Sequence, residues 1–169
     1  MKFAAERVLD DVILAHDLLE KTEDEEVWRI YFVACLSLLR AVGHVLDKVD
    51  GCQDTLNRKA IDQFWFETKN DRIKNGIFWY FVDVYRNQVL KTYEFPSEPL
   101  TYGLIVPGSL LSSEQTDDDE VFWSDGIIMQ EGPFEGHDAR DLIFEATKWW
   151  QVKLSEIKES IAQSAELKR

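Results

Sequence analysis

The chain is predicted to fold as a mainly α up-and-down bundle of four to five helices, with a small β-hairpin insertion before the C-terminal helix. Three observations predict it. Apolar residues recur three and four apart through most of the chain, capping residues or proline stand at the expected helix ends, and the texture becomes strand-like only after Pro99. With 169 residues, 45% hydrophobic and 12% aromatic, the chain has ample apolar side chain for a packed core. One domain spanning 1–169 is expected, elaborated by a β/loop insertion at about 100–136.

The first helix is expected over about 3–20, with Phe3, Val8, Val12, Ile13 and Leu19 forming an apolar stripe. Thr22-Glu23-Asp24-Glu25 then reads as a capping box, in which the threonine oxygen serves a free backbone N–H and Glu25 reaches back. The second helix should start there and carry its seam on Trp28, Tyr31, Cys35, Leu38, Val42, Val45 and Val49. Val49-Asp50-Gly51-Cys52 stops it. A shorter segment over about 55–68 bears Ile61, Phe64 and Trp65, and a fourth helix is expected over about 71–94. Its Ile77-Phe78-Trp79-Tyr80-Phe81-Val82 run is apolar on every side, which places it centrally or against a second chain. Phe95-Pro96-Ser97-Glu98-Pro99 should end it, because proline lacks the N–H and biases its predecessor away from helix.

Residues 100–106 read as a strand, and 121–124 are expected to pair with 127–130 across an Asp125-Gly126 turn. Asp117-Asp118-Asp119-Glu120 lacks the spaced ligands and glycine of a calcium loop and reads as a solvated tip. In the last helix Asp138 can cap the first turn, and Ile143, Trp150, Leu154, Ile157 and Ile161 return a seam to the bundle.

A net charge of −13 and a pI near 4.6 argue against broad, sequence-independent DNA or RNA binding, which rests on phosphate neutralisation by Lys and Arg. A small local basic patch is still compatible with that balance. Uninterrupted apolar runs fall short of the roughly 20 residues that span a bilayer, and the first residues open an amphipathic pattern, so a cytoplasmic protein with no membrane contact is expected. Cys35 and Cys52 show no CxxC pattern and read as reduced thiols; no metal and no cofactor is expected.

Two polar constellations stand out. On the second helix Ser37, Arg40, His44 and Asp47 fall on one stripe, either a wet face or the border of a cleft where His44 binds phosphate or moves a proton. On the fourth, Asp83, Asn87 and Lys91 form a row with Arg86 on its flank, where Asp83 can pair with Arg86 or Asn87. Four polar groups closing the most apolar helix of the chain want partners. His16-Asp17 and His137-Asp138 lack the further ligands of a metal-dependent phosphohydrolase, and no HExxH, Walker loop or Gly-x-Ser-x-Gly occurs.

Over residues 1 to about 95 plus the last helix, the chain resembles the HEPN superfamily. Members carry Arg, a polar residue that is often Asn, and His after four to six intervening residues; here Arg86 and Asn87 match, and Lys91 stands where the histidine belongs. The resemblance implies a small helical bundle, pairing as a homodimer through the 77–91 helix, and either metal-independent RNase activity or support of nucleotide chemistry. Cleavage through a 2′-hydroxyl needs a base and an acid, and imidazole suits both near neutral pH, whereas an ordinary lysine is protonated there and only stabilises anionic charge.

The expectation is therefore a HEPN-like non-catalytic or degenerate bundle that binds a macromolecular partner, RNA or a toxin/antitoxin-type protein. Arg86, Asn87 and Lys91 would carry the contact, with Asp83 as orienter and Arg40 and His44 contributing. Two alternatives stay open: an active metal-independent endoribonuclease using Arg86 with Lys91 or His44, and an acidic protein-interaction module unrelated to RNA.

Overall fold

The computed structural model describes residues 2–95, 97–106 and 120–166. Within them lie α1 (Ala4–Lys21), α2 (Glu25–Lys48), α3 (Thr55–Asn70), a π-helical segment (Ile77–Tyr85), α4 (Arg86–Thr92), strands β1 (Ser97–Val106) and β2 (Glu120–Met129), and α5 (Ala139–Glu166). The structure is a mainly α bundle with a two-stranded antiparallel hairpin before its C-terminal helix. The chain divides into a helical unit, Met1–Glu94 with Arg140–Arg169, and a second unit, Phe95–Ala139.

α1 starts with its free amides answered from far along the chain. The buried carboxylate of Asp50 accepts the N–H groups of Ala4 at 2.7 Å and Ala5 at 2.9 Å, and Glu6 takes the N–H of Phe3 at 2.7 Å. Its buried stripe runs through Phe3, Ala5, Leu9, Val12 and Leu19, while Ile13 is 43% exposed. Leu9, not Ile13, is thus the inward residue.

Asp24, not Thr22, caps α2 by accepting the Val27 N–H at 2.9 Å. The buried face of α2 is Phe32, Cys35, Leu36, Leu39, Val42, Gly43 and Leu46, so the expected seam is rotated: Cys35 and Val42 belong to it, whereas Val49 is 48% exposed. The cause is composition. The apolar face of this helix is broad, so several stripes within it satisfy the spacing, and packing selects among them. The segment Glu25–Cys52 reaches a mean hydropathy of 1.5 over 18 residues, which makes it long and apolar enough to cross a membrane by length and composition, a test that a core helix also passes. Both cysteines are free; Cys35 is buried, which pushes its thiol up to about 12, and Cys52 is exposed.

Asp54 caps α3, its carboxylate accepting from Leu56 at 2.7 Å and Asn57 at 2.9 Å, and Ile61 and Phe64 turn inward. The helix expected over 71–94 is broken into three pieces. Asp71 captures the Lys74 N–H at 3.0 Å and Asn75 Nδ2 donates to the Asp71 carbonyl at 2.8 Å, so a local turn replaces helical bonds there. A nine-residue π-helix follows, and only then α4. The stop comes at Tyr93, in the left-handed region at φ 56°, before the proline expected to impose it.

The core of the helical unit is aromatic. Phe78 stacks on Trp149 at 5.1 Å and meets Trp150 edge-on at 5.6 Å; Phe64 and Trp65 complete the cluster. Three indole N–H groups are satisfied: Trp150 on the Leu39 carbonyl at 3.0 Å, Trp149 on Asn75 Oδ1 at 3.1 Å, Trp79 on the Thr68 carbonyl at 2.8 Å. Leu142, Ile143, Ala146, Trp150, Leu154 and Ile157 form the buried face of α5.

In the second unit β1 and β2 pair antiparallel over their full lengths, from Ser97 opposite Met129 to Val106 opposite Glu120. The expected turn at Asp125-Gly126 is therefore corrected: Gly126 lies opposite Leu100 and Asp125 opposite Thr101, inside a continuous strand. A ten-residue ladder satisfies far more backbone groups than a four-residue hairpin, and that outweighs the local turn preference. Asp117, Asp118 and Asp119 lie outside the described residues. Gly136, at φ 83°, helps the chain fold back so that its N–H reaches the Met129 carbonyl at 2.9 Å.

Candidate functional site

α2 and the π segment meet along an aromatic column. Trp28 stacks on Phe32 at 4.8 Å, Phe32 meets Tyr85 edge-on at 6.0 Å, and Tyr85 stacks on Phe81 at 5.5 Å. The column fixes the end of the π segment against α2, and Arg86 is the next residue. Its N–H is shared between the carbonyls of Asp83 and Phe81, the point at which π hydrogen bonding returns to α. Such π turns recur at functional sites because they re-aim side chains that a regular helix would present elsewhere.

Arg40 of α2 reaches across to this segment. Its Nε donates to Asp83 Oδ1 at 2.9 Å, both side chains being about three-quarters buried, and its guanidinium lies 5.7 Å from the centre of the Phe78 ring. Asp83 is thus held by Arg40, not by Arg86 or Asn87. Arg86 Nη1 donates to Asn87 Oδ1 at 2.9 Å; its Nε is buried without a hydrogen-bond partner, and among the described residues Arg86 forms no ion pair. One guanidinium is neutralised and the other is not.

His44, one turn beyond Arg40, is exposed and makes no hydrogen bond among the described residues. Its pKa is lowered from 6.5, first by desolvation and then by the charges of Arg40 and Arg86, against the opposing pull of Asp47 and Asp83. Asp47 is otherwise engaged, with Lys48 at 2.8 Å and Arg58 at 2.9 Å, and its own pKa is lowered chiefly by the Lys48 hydrogen bond. The imidazole therefore stands neutral near pH 7 in the field of two arginines.

Of the residues singled out in the sequence, Arg40 meets Asp83 and Arg86 meets Asn87, while His44 stands one helical turn from Arg40. Lys91 does not join their contacts: it is exposed, whereas a lysine base needs a desolvated setting. Two contributors escaped sequence reasoning. Phe78 reads as core, yet its ring also steadies Arg40; the π-helical geometry that aims Arg86 has no known local signature.

The two His-Asp dipeptides fall apart as sites. His16 Nε2 contacts the Arg140 carbonyl at 3.1 Å and Glu20 at 3.4 Å, while Asp17 pairs with Lys21. Among the described residues no group of three or more His, Cys, Asp or Glu is placed to hold a metal ion. A groove of about 260 Å³ between α3 and α5 is lined by Gln63, Glu67, Asp71, Lys74, Lys153 and Glu156, none of them in the cluster.

Comparison with family models, curated proteins and solved structures yields no match.

Proposed function

We propose that the protein is a HEPN-like helical module, without nuclease turnover of its own, that binds RNA through the Arg40, His44, Asp83, Arg86 and Asn87 cluster. One observation carries the reading: among the described residues Arg86 keeps a guanidinium free of any ion pair, at the end of the segment that Arg40 and Asp83 tie to α2, in a chain whose net charge is −13. Phosphate is an anion that such a planar fork of donors recognises bidentately. The overall acidity confines the contact to this spot, so affinity comes from a few phosphates and not from a broad basic face.

The 77–91 stretch also leaves Tyr80, Val84 and Leu90 outward, at 38%, 56% and 42% exposure. Their spacing supports pairing of two copies along this element, which would set two Arg86 side chains about one groove. Light scattering of wild type and Val84→Glu tests it: the wild type should run as a dimer and the variant as a monomer.

The binding test is a filter or anisotropy titration with single-stranded RNA at several salt concentrations. Arg86→Met should weaken binding at least tenfold and flatten the salt dependence; unchanged binding in the variant, together with capture of a cognate toxin or antitoxin protein, would shift the reading to a protein partner.

A second reading has its own support. An exposed His44 whose pKa is lowered by desolvation and by the charges of Arg40 and Arg86 supports a reading in which it, and not Lys91, serves as the base of a metal-independent ribonuclease. RNA cleaved in the presence of EDTA, with loss in His44→Gln, would establish that reading.

A further inference from the structure

We propose that the outer face of α3, with the turn that follows it, is a second contact for single-stranded RNA, in which Phe66 stacks on an unpaired base while Lys59, Lys69 and Arg72 hold the flanking phosphates. This rests on the RNA-binding reading and adds to it a surface outside the Arg86 cluster.

The charge balance points there first. From Thr55 to Asn75 the chain has five cationic residues against three acidic ones, although it carries −13 as a whole. The three acids have other engagements. Asp62 pairs with Arg58 at 2.6 Å, Asp71 turns Oδ1 to the Lys74 N–H at 3.0 Å, and Glu67 accepts from Gln63 at 2.6 Å where both line the groove towards α5. Lys59, Lys69, Arg72 and Lys74 are exposed and form no ion pair among the described residues. A local surplus of unpaired cations on an acidic protein selects an anionic partner.

The helix arranges them. Lys59, Asp62, Phe66 and Lys69 are three, four and three residues apart, so they share an exposed row turned away from buried Ile61, Phe64 and Thr68. At about 1.5 Å of rise per residue, Lys59 and Lys69 stand about 15 Å apart along α3 with Phe66 between them. Phe66 is 62% exposed, and its ring meets no other ring among the described residues. Arg72 closes the row in a fixed position: its guanidinium lies 4.6 Å from the centre of the Trp79 ring, and the Trp79 indole donates to the Thr68 carbonyl in the last turn of α3. A cation held before its ligand arrives loses less freedom on binding.

An aromatic face set among cations suits a single strand, because every unpaired base offers a π face to stack. A duplex hides those faces and demands a broad positive surface, which a net charge of −13 denies it.

The test is RNA binding by the full chain, by Phe66→Leu and by the double variant Lys59→Gln with Lys69→Gln. All three positions are exposed, and circular dichroism checks folding. The probes are a single-stranded oligonucleotide, the same strand with abasic sugars, and the strand annealed to its complement. Phe66→Leu keeps an apolar side chain and removes the ring, so it should weaken single-strand binding about tenfold. The abasic strand and the duplex should each bind wild type and Phe66→Leu alike. The lysine variant should lower the slope of log affinity against log salt by about one.

Single-strand binding unchanged in both variants, or an equal loss on the abasic strand in Phe66→Leu, overturns the inference. If folded Arg86→Met nevertheless loses RNA, the RNA reading survives that failure. If both variants weaken binding and Arg86→Met does not, the α3 face is an RNA contact and the Arg86 cluster is not. A wild type that ignores RNA overturns both; its sedimentation with phosphatidylserine vesicles, abolished in Ile73→Ser, would then assign these cations and the 89% exposed Ile73 to a membrane surface.

Discussion

Arg40 and Asp83, 43 residues apart, form a 2.9 Å hydrogen-bonded ion pair that ties α2 to the π segment just ahead of Arg86. The pair does two things at once. It helps hold the π segment against α2, and it cancels one of the two positive charges at the cluster.

Those roles separate in Asp83→Asn. The variant should lose about 1–2 kcal/mol of stability, as expected for a largely but not fully buried, charge-assisted hydrogen bond, yet bind sulfate or RNA more tightly because Arg40 is released. Urea denaturation alongside an anion titration reads both. A loss of stability with no gain in anion affinity would mean that Arg40 is structural only.

Asp50 anchors the start of α1. Asp50→Ala would leave the N–H groups of Ala4 and Ala5 without their acceptor in a fully buried setting, at a cost of about 2 kcal/mol or more. Denaturant titration should show the fall in midpoint, and hydrogen exchange should show it concentrated in the first turn of α1.

At Gly43, α2 packs tightly against the tryptophan cluster. A Cβ there would lie 3.1 Å from ring atoms of both Trp150 and Trp65, and Trp150 is fully buried with its N–H held on Leu39. Gly43→Ala should therefore cost about 1–3 kcal/mol in spite of alanine's better helix propensity, seen as a fall of several degrees in Tm. An unchanged or raised Tm would show that the rings yield.

His44 also imposes a pH dependence. Its folded pKa lies below 6.5, so it contributes stability that is fully present above the unfolded value and is lost as pH falls through the lowered one. In Arg86→Met the His44 resonance should titrate at higher pH than in wild type. Glu6 behaves alike at lower pH: burial raises its pKa, but the Lys158 and Phe3 hydrogen bonds outweigh that and lower it from 4.5, so its share is lost as pH falls below about that value. Histidine-resolved NMR and stability curves against pH check both.

Much of this was legible in the chain. Ile143, Trp150, Leu154 and Ile157 mark the inner face of α5 because polar residues separate them; the apolar face of α2 is broad enough to hold several stripes, so packing decides which of them turns inward. Asp125-Gly126 has a strong turn preference, yet its partner strand starts 28 residues earlier at Ser97, a pairing that local reading does not reach. Within the cluster, the shared stripe of Arg40 and His44 follows from helical spacing alone, whereas the Arg86–Asn87 hydrogen bond joins chain neighbours that spacing does not pair. That Asp83 belongs to Arg40 depends on how two helices dock, which spacing along one helix does not reveal.

The most direct test is RNA binding by wild type and Arg86→Met across a series of salt concentrations, with circular dichroism confirming that the variant is folded. A cluster that reads phosphate predicts affinity that falls with salt in wild type and at least a tenfold loss in the variant. Equal affinities, or wild-type binding indifferent to salt, would contradict it.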